Sequence, residues 1–309
     1  MNLKRFLLLV TGVCLIFTSC STAVPESVQT QPVPEDVSYL DADISFLGPE
    51  GTYTQEACEV FFGGEGNLIP YATVAEAVDA LVSGDADYAV IPQENTIGGP
   101  VADYIDIVLH TSDVSVTGEV VLTINQNLLV LPGASLDDIT TVYSHRQGIA
   151  QGRQWLEENL PDAEIVEVSS TAEGARIVAQ ENDPSCAAIA SAGCADVYGL
   201  EVLASAIQIN GNNRTRFYVL STDEPSETGG ERISFAASGS SYDLPGLLSD
   251  IDECDAELIT IHDRPLGTEL GQYTYLIECA GLSYEDYLSV VQGSGLECRF
   301  LGSYRTVSN

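Results

Sequence analysis

The chain has 309 residues, enough for two compact domains with substantial cores. Its 46 acidic residues against 11 basic ones give a net charge of −35; such a field repels phosphate backbones and anionic lipid surfaces, which excludes nucleic acid and non-specific membrane adsorption. The only lysine is Lys4, so lysine Schiff-base chemistry and a P-loop are excluded from any domain downstream.

In chain order, Lys4 and Arg5 precede an apolar run over residues 6–17, too short for a membrane span, and Thr18-Ser19 leads into Cys20. That is the layout of a signal peptide, and the residues before Cys20 resemble a bacterial lipoprotein cleavage site, at which Cys20 becomes the lipidated first residue. The expectation is an extracytoplasmic protein that meets the membrane through a lipid anchor only. Residues 21–43, rich in Ser, Thr, Pro, Gln and acid, suit a flexible tether.

From residue 44, short apolar runs alternate with amphipathic stretches, the pattern of an α/β domain with a mostly parallel sheet. Strand 44–48 runs through Gly48-Pro49-Glu50-Gly51 into helix 53–62. The capping box Thr73-Val-Ala-Glu76 opens a helix to residue 83, followed by strand 88–92 and helix 101–110. Residues 114–131 are long and β-prone, with a break near Asn125–Asn127, and are expected to cross between two lobes. Strand 141–144, helix 147–159, strand 165–168 and a helix from the capping box at 170–173 to residue 182 form a second set, with strands at 187–190 and 217–221. Two α/β lobes joined by extended crossings enclose a cleft, the usual seat of a small ligand. After a polar linker at 221–231, strand 233–237, helix 245–254, strands 258–263 and 273–279, helix 284–293 and strand 297–304 give the βαββαβ order of a ferredoxin-like domain.

His110, His145 and His262 lie far apart without partners at ligand spacing, and neither GxSxG nor GxGxxG occurs, so neither a metal nor a cofactor is expected. Cys58, Cys186, Cys194, Cys254, Cys279 and Cys298 match no zinc or CxxC spacing. Most read as buried small hydrophobes, while Cys254, Cys279 and Cys298 share the small domain, where a bridge is feasible. What remains is four polar loops at strand ends, where open α/β sheets bind ligands. They are Gly48-Pro-Glu-Gly-Thr52-Tyr-Thr54, Pro92-Gln-Glu94-Asn95-Thr96-Ile-Gly98-Gly99, Ser144-His145-Arg146-Gln147 and Asn213-Arg-Thr215-Arg216-Phe217.

These loops, in this order, resemble prephenate dehydratase. Phe46-Leu-Gly-Pro-Glu-Gly-Thr-Tyr is similar to the family's opening motif, Ile91-Pro-Gln-Glu-Asn-Thr to its Pro-x-Glu-Asn-Ser loop, and Asn213-Arg-Thr-Arg-Phe217 to its Asn-x-Thr-Arg-Phe signature. The resemblance implies a two-lobed, periplasmic-binding-protein-like catalytic domain at 44–222 and a regulatory ACT domain at 230–309. It also implies decarboxylating dehydration of prephenate to phenylpyruvate, with Thr215 catalytic. Leu244-Pro-Gly-Leu-Leu248 is similar to the family's Gly-Ala-Leu ligand loop, and His262-Asp-Arg-Pro265 stands where the family has Glu-Ser-Arg-Pro. Gly246, Leu247, Leu248, His262, Asp263, Arg264 and Pro265 are therefore the expected effector residues, for phenylalanine bound between the subunits of a homodimer. Nothing before residue 44 resembles a chorismate mutase domain, so a monofunctional enzyme is expected.

Prephenate carries two carboxylates and a ring hydroxyl. Without lysine, Arg216 is the expected cation for one carboxylate through a bidentate fork, while N–H groups near Thr52 and the Asn95-Thr96 loop hold the other. Thr215 is expected to donate to the departing oxygen, and Glu94 to be either a base or a helix cap. Ser144, Gln147, Asn213 and Phe217 complete the expected substrate contacts. A lipid-anchored solute-binding protein, or an inactive sensor of a small aromatic carboxylate, is the competing reading; it needs the cleft but no chemistry.

Overall fold

A computed structural model describes residues 38–309. The signal segment, Cys20 and most of the tether lie outside the described residues. The first lobe contains β1 (Asp43–Leu47), α1 (Tyr53–Phe62), β2 (Asn67–Tyr71), α2 (Val74–Ser83), β3 (Tyr88–Asn95), the short β4 (Gly99–Pro100), α3 (Ala102–His110) and β5 (Ser115–Thr123). The chain crosses into a second lobe of β6 (Asn127–Val130), β7 (Thr141–His145), α4 (Arg146–Asn159), β8 (Glu164–Val168), α5 (Thr171–Glu181), β9 (Cys186–Ala190), α6 (Gly193–Tyr198) and β10 (Glu201–Ala204). It returns along β11 (Arg214–Ser221) and continues as β12 (Arg232–Ser240), α7 (Leu244–Glu253), β13 (Glu257–Pro265), β14 (Gln272–Ala280), α8 (Tyr284–Gly293), β15 (Glu297–Tyr304) and β16 (Thr306–Ser308).

Both lobes combine a parallel core with antiparallel strands supplied by the crossings. In the first, β2, β1 and β3 are parallel, and β11 and then β5 add antiparallel to that edge. In the second, β8, β7 and β9 are parallel, and β6 and β10 add antiparallel. The sheets are thus mixed rather than mostly parallel. The two crossings bind one another, Ile124 N–H donating to Asn213 O at 2.9 Å and Ile207 N–H to Gln126 O at 2.8 Å.

Local chemistry explains the helix starts that aim at the cleft. Thr52 caps α1 and accepts from Gln55 N–H, Ser170 caps α5 and accepts from Glu173 N–H, and His145 caps α4 through its ring nitrogen. The capping box expected at 170–173 is only half formed, because the Glu173 carboxylate is held by Arg176 at 2.6 and 2.7 Å. Gly148 is required by close packing, since a Cβ there would lie 2.6 Å from Ser144 Oγ.

After the linker, the third sheet runs β13-β14-β12-β15, all antiparallel, with α7 and α8 on one face. Its other face packs on the first lobe, where Leu276, Leu301 and Tyr304 share a core with Val78, Leu81, Ile105 and Val108. Arg264 makes a bidentate pair with Asp106 of α3, both bonds 2.6 Å. Strand β16, which has no counterpart in the sequence reading, turns back and pairs in parallel with β5. All six cysteines in the described residues are unbridged.

Candidate active site

The cleft between the lobes holds a cavity of about 350 Å³, the size expected for a small ligand. The first lobe contributes Leu47, Thr52, Tyr53, Thr54, Pro92, Asn95 and Tyr104, and the second His145, Gln147, Gly148, Gln151, Ser169, Ser170 and Thr171. The crossings and β11 contribute Ile124, Gln126, Asn213, Thr215 and Phe217. No arginine or carboxylate is among these lining residues. Instead, the N-termini of α1, α4 and α5 all open on the cavity, and the N–H groups of a first helical turn have no partner within the helix. Three converging N-termini make a site for anionic groups that does not depend on an arginine.

A chain of amides fixes the polar groups. Asn95 Oδ1 accepts from Ile97 N–H at 3.0 Å and Gly98 N–H at 2.9 Å, which dictates that Asn95 turns its NH₂ the other way. That NH₂ donates to Thr215 Oγ1 at 2.9 Å and to Asn213 Oδ1 at 2.8 Å. Asn213 Nδ2 in turn donates to Gln151 Oε1 at 3.0 Å, which also accepts from Gln126 Nε2 at 3.0 Å. Because the loop's backbone N–H groups set the polarity of the whole chain, Thr215 is an acceptor toward Asn95 and keeps its own hydrogen to donate into the cleft. Gln147 Nε2 reaches Asn95 Oδ1 at 3.4 Å, closing a contact between the lobes. A second contact lies at the α1 turn, where Ser191 Oγ and Tyr198 OH donate to the carbonyls of Gly51 and Glu50, each at 2.8 Å. Burial raises the Tyr53 phenol well above its usual value and the Cys194 thiol to about 11, so both stay neutral.

Of the expected substrate contacts, Thr52, Asn95, Gln147, Asn213, Thr215 and Phe217 meet in this wall. Four others do not. Arg216 faces away from the cavity, because neighbouring residues on a strand point to opposite faces; it is held by Glu119, by Glu278 at 2.6 Å and by Glu94 at 3.2 Å. Burial works against its charge, but Glu278 and Glu119 outweigh that and raise its pKa, so the guanidinium is permanently charged and fully engaged. Glu94 shares this rear face, and is neither a base in the cleft nor a helix cap. Ser144 is fully buried, its hydroxyl donating to Ile189 O at 2.7 Å. Thr96 donates to Asn212 O and accepts from Arg214 N–H, both 3.0 Å, tying two loops together outside the cavity.

The expected effector residues are likewise dispersed within the chain. Leu247 is fully buried in the small-domain core, Leu248 packs against that core, and Gly246 and Pro265 are exposed. Arg264 is taken by Asp106. His262 faces the first lobe near Glu94, whereas Asp263, on the opposite face of β13, lines a shallow hollow with Leu244, Ile261, Tyr273 and Tyr275. Gln126, Gln151 and Ser169 line the cavity without having been expected there, and His145 of the third polar loop and Ser170-Thr171 of the capping box join them, though none of the three was an expected contact. The capping pattern at Ser170 marks a helix start able to face an anion, and Gln151, one helical turn beyond Gln147, shares its face.

A family model described as prephenate dehydratase matches residues 44–225. The prephenate dehydratase of Lactococcus lactis is 34% identical over 278 residues, covering 86% of this chain and 98% of the relative. The bifunctional chorismate mutase/prephenate dehydratase of Neisseria gonorrhoeae is 36% identical over 240 residues, and this match covers 77% of the chain and 66% of that relative. Among solved structures, the prephenate dehydratase of Arthrobacter aurescens in complex with L-Phe superposes with a TM-score of 0.75 at 31% identity, covering 85% of this chain and 89% of that one.

Proposed function

Because this chain belongs to the prephenate dehydratase family, we propose that it binds prephenate in the cleft between its lobes and converts it to phenylpyruvate, carbon dioxide and water. The observation that carries this reading is the Thr215 hydroxyl, held as an acceptor by Asn95 in a wall onto which three helix N-termini open. Its free hydrogen is available to the ring oxygen. The ring carboxylate leaves as carbon dioxide, its bonding electrons move through the diene as the ring becomes aromatic, and the C4–O bond breaks. The departing hydroxide takes up one proton to become water, and donation from Thr215 stabilises the charge as it develops.

The carboxylates of the substrate are assigned to the helix N-termini and not to Arg216. First-turn N–H groups at α1, α4 and α5 supply fixed partial positive charge that needs no reorganisation during the reaction. Gln151, with its Oε1 occupied by two amide donors, presents its NH₂ as a further donor. The apolar wall of Leu47, Pro92, Ile124 and Phe217 suits the ring.

Residues 230–309 are assigned to an ACT domain of ferredoxin-like arrangement, following a catalytic domain at 44–222. The βαββαβ order and the strand order β13-β14-β12-β15 support this. Feedback by phenylalanine is supported by the Arthrobacter aurescens relative, solved in complex with L-Phe; the likeness of residues 244–248 to the family's ligand loop is what suggests a site completed by a second copy in a homodimer. The start of the sequence supports an extracytoplasmic lipoprotein anchored at Cys20; fatty-acid labelling of the wild type and not of Cys20→Ala is the expected result.

The decisive experiment incubates purified residues 21–309 with prephenate and follows phenylpyruvate. Turnover is expected, and Thr215→Val should reduce it about 10²–10³-fold with the fold intact, the usual effect of losing one such donor. Prephenate binding without product in the wild type would overturn the enzyme reading in favour of a receptor.

A further inference from the structure

We propose that Glu278, a residue of the small domain, is a positioning residue for Thr215 and acts through Arg216; this rests on the reaction assigned above. The pairing of β11 with β3 places Thr215 opposite Asn95 and Arg216 opposite Glu94 on consecutive rungs. One rung faces the cleft and carries the Asn95–Thr215 hydrogen bond; the next faces the rear and carries the Arg216–Glu94 pair. A displacement of Arg216 is therefore felt one residue away, at the hydroxyl that donates to substrate. On the β3 side the ladder's register shifts between Arg216 and Phe217, whereas on the β5 side it runs unbroken from Arg214 to Val219. The rear clamp bridges the interrupted side, tying Arg216 to Glu94 of β3 as well as to Glu119 and Glu278.

That clamp joins three parts of the molecule. Arg216 Nε binds Glu119 of β5, Nη1 binds Glu94 of β3 at 3.2 Å, and Nη2 binds Glu278 of β14 at 2.6 Å. Glu119 and Glu278 are fully buried. Their remaining oxygens are occupied too, Glu278 Oε1 by Tyr304 OH at 2.7 Å and Glu119 Oε2 by Thr306 Oγ1 at 2.8 Å and Arg232 Nε at 3.2 Å. Stability alone does not call for such a cluster, since desolvating buried ions offsets most of their attraction and apolar packing serves as well. What it provides is a fixed distance between the small-domain sheet and the strand that carries Thr215.

The test is Glu278→Gln, which keeps the shape and removes the charge, measured in the full chain for kcat, KM and thermal midpoint. We expect kcat to fall about tenfold with KM within about twofold, since substrate contacts are untouched. In a Thr215→Val background the same substitution should change kcat less than about twofold, because its effect runs through a hydroxyl already removed. A merely structural role would give the same proportional loss in both backgrounds, and that result overturns the proposal, as does wild-type kcat in Glu278→Gln. Should that variant not fold, Tyr304→Phe deletes one donor to Glu278 and should lower kcat with the same non-additivity; unchanged kcat there overturns the proposal. A wild-type chain that forms no phenylpyruvate removes the assigned reaction and this proposal together, whereas an active wild type with an unaffected variant removes this proposal alone.

Discussion

Thr215 and Arg216, neighbours in β11, face opposite sides of the sheet: Thr215 looks into a cleft lined by no arginine, whereas Arg216 looks into a buried cluster of carboxylates. Replacing Arg216 with Met would leave Glu278 buried without its counter-charge and Glu119 with Arg232 alone at 3.2 Å, and stranding a buried charge in this way typically costs about 3–5 kcal/mol. Denaturant titration of Arg216→Met should show that loss, while KM of the surviving folded enzyme stays near wild type because no substrate carboxylate meets this side chain; a KM raised about tenfold would return Arg216 to the binding site. His262 gives the same interface a pH dependence. Burial lowers its pKa, opposed by Glu94 and Glu278, with Arg216 acting in the lowering sense and Asp263 in the raising sense. A histidine held below its unfolded pKa of about 6.5 lets the unfolded chain bind the proton first. Its contribution is thus complete above the unfolded pKa and is lost as pH falls from there toward the folded value. The thermal midpoint of the wild type should drop more between about pH 7.5 and 5.5 than that of His262→Asn; equal drops would mean that His262 titrates alike in both states.

At the scale of elements, the end of α3 shows how the small domain holds the first lobe. Arg299 of β15 donates to the carbonyls of Val108, Leu109, Thr111 and Ser112 at 2.9–3.3 Å, satisfying acceptors left open where α3 stops. Arg299→Leu should lower stability by about 1.5–3 kcal/mol, the usual worth of a hydrogen bond to a charged group, and should speed amide exchange at the end of α3 before elsewhere. Uniform protection across α3 in that variant would show that water replaces the guanidinium at no cost. Elements with local signals were legible in the sequence: the Thr73–Glu76 capping box forms as written, and the buried runs at 88–92 and 187–190 are strands. Strand β2 was not legible because it is a half-exposed edge with Pro70 and no alternation, and α6 and β16 are too short to carry a period. Within the site, loops rich in amides were legible and destinations were not. Strand alternation over 214–217 already separates Thr215 from Arg216, but only partners 97 and 62 residues away in sequence, Glu119 and Glu278, show what the rear face is for.

For the whole molecule, the small domain is not an appendage. Its helix-free sheet face buries Leu276, Leu301 and Tyr304 in a core shared with α2 and α3, and its exit strand β16 adds to the first lobe's sheet. Asn309 fastens that strand further, accepting from Thr123 N–H at 2.9 Å and donating to Glu56 at 3.1 Å. Cut out as residues 230–309, the segment would expose this apolar face together with the uncompensated Glu278, and a chain of about 80 residues has little stability to spare. We therefore expect the isolated segment to bind a hydrophobic dye and melt without a cooperative transition, while residues 38–309 unfold in one transition reported alike by far-ultraviolet dichroism and by Trp155 fluorescence in the second lobe. A fragment that unfolds cooperatively on its own, or two separated transitions in the longer chain, would show that the shared core does not bind the parts into one unit. Phenylalanine therefore has to be titrated into the full chain, because β13, which carries the expected effector residues 262–265, pairs with β14, whose Glu278 is held by Arg216.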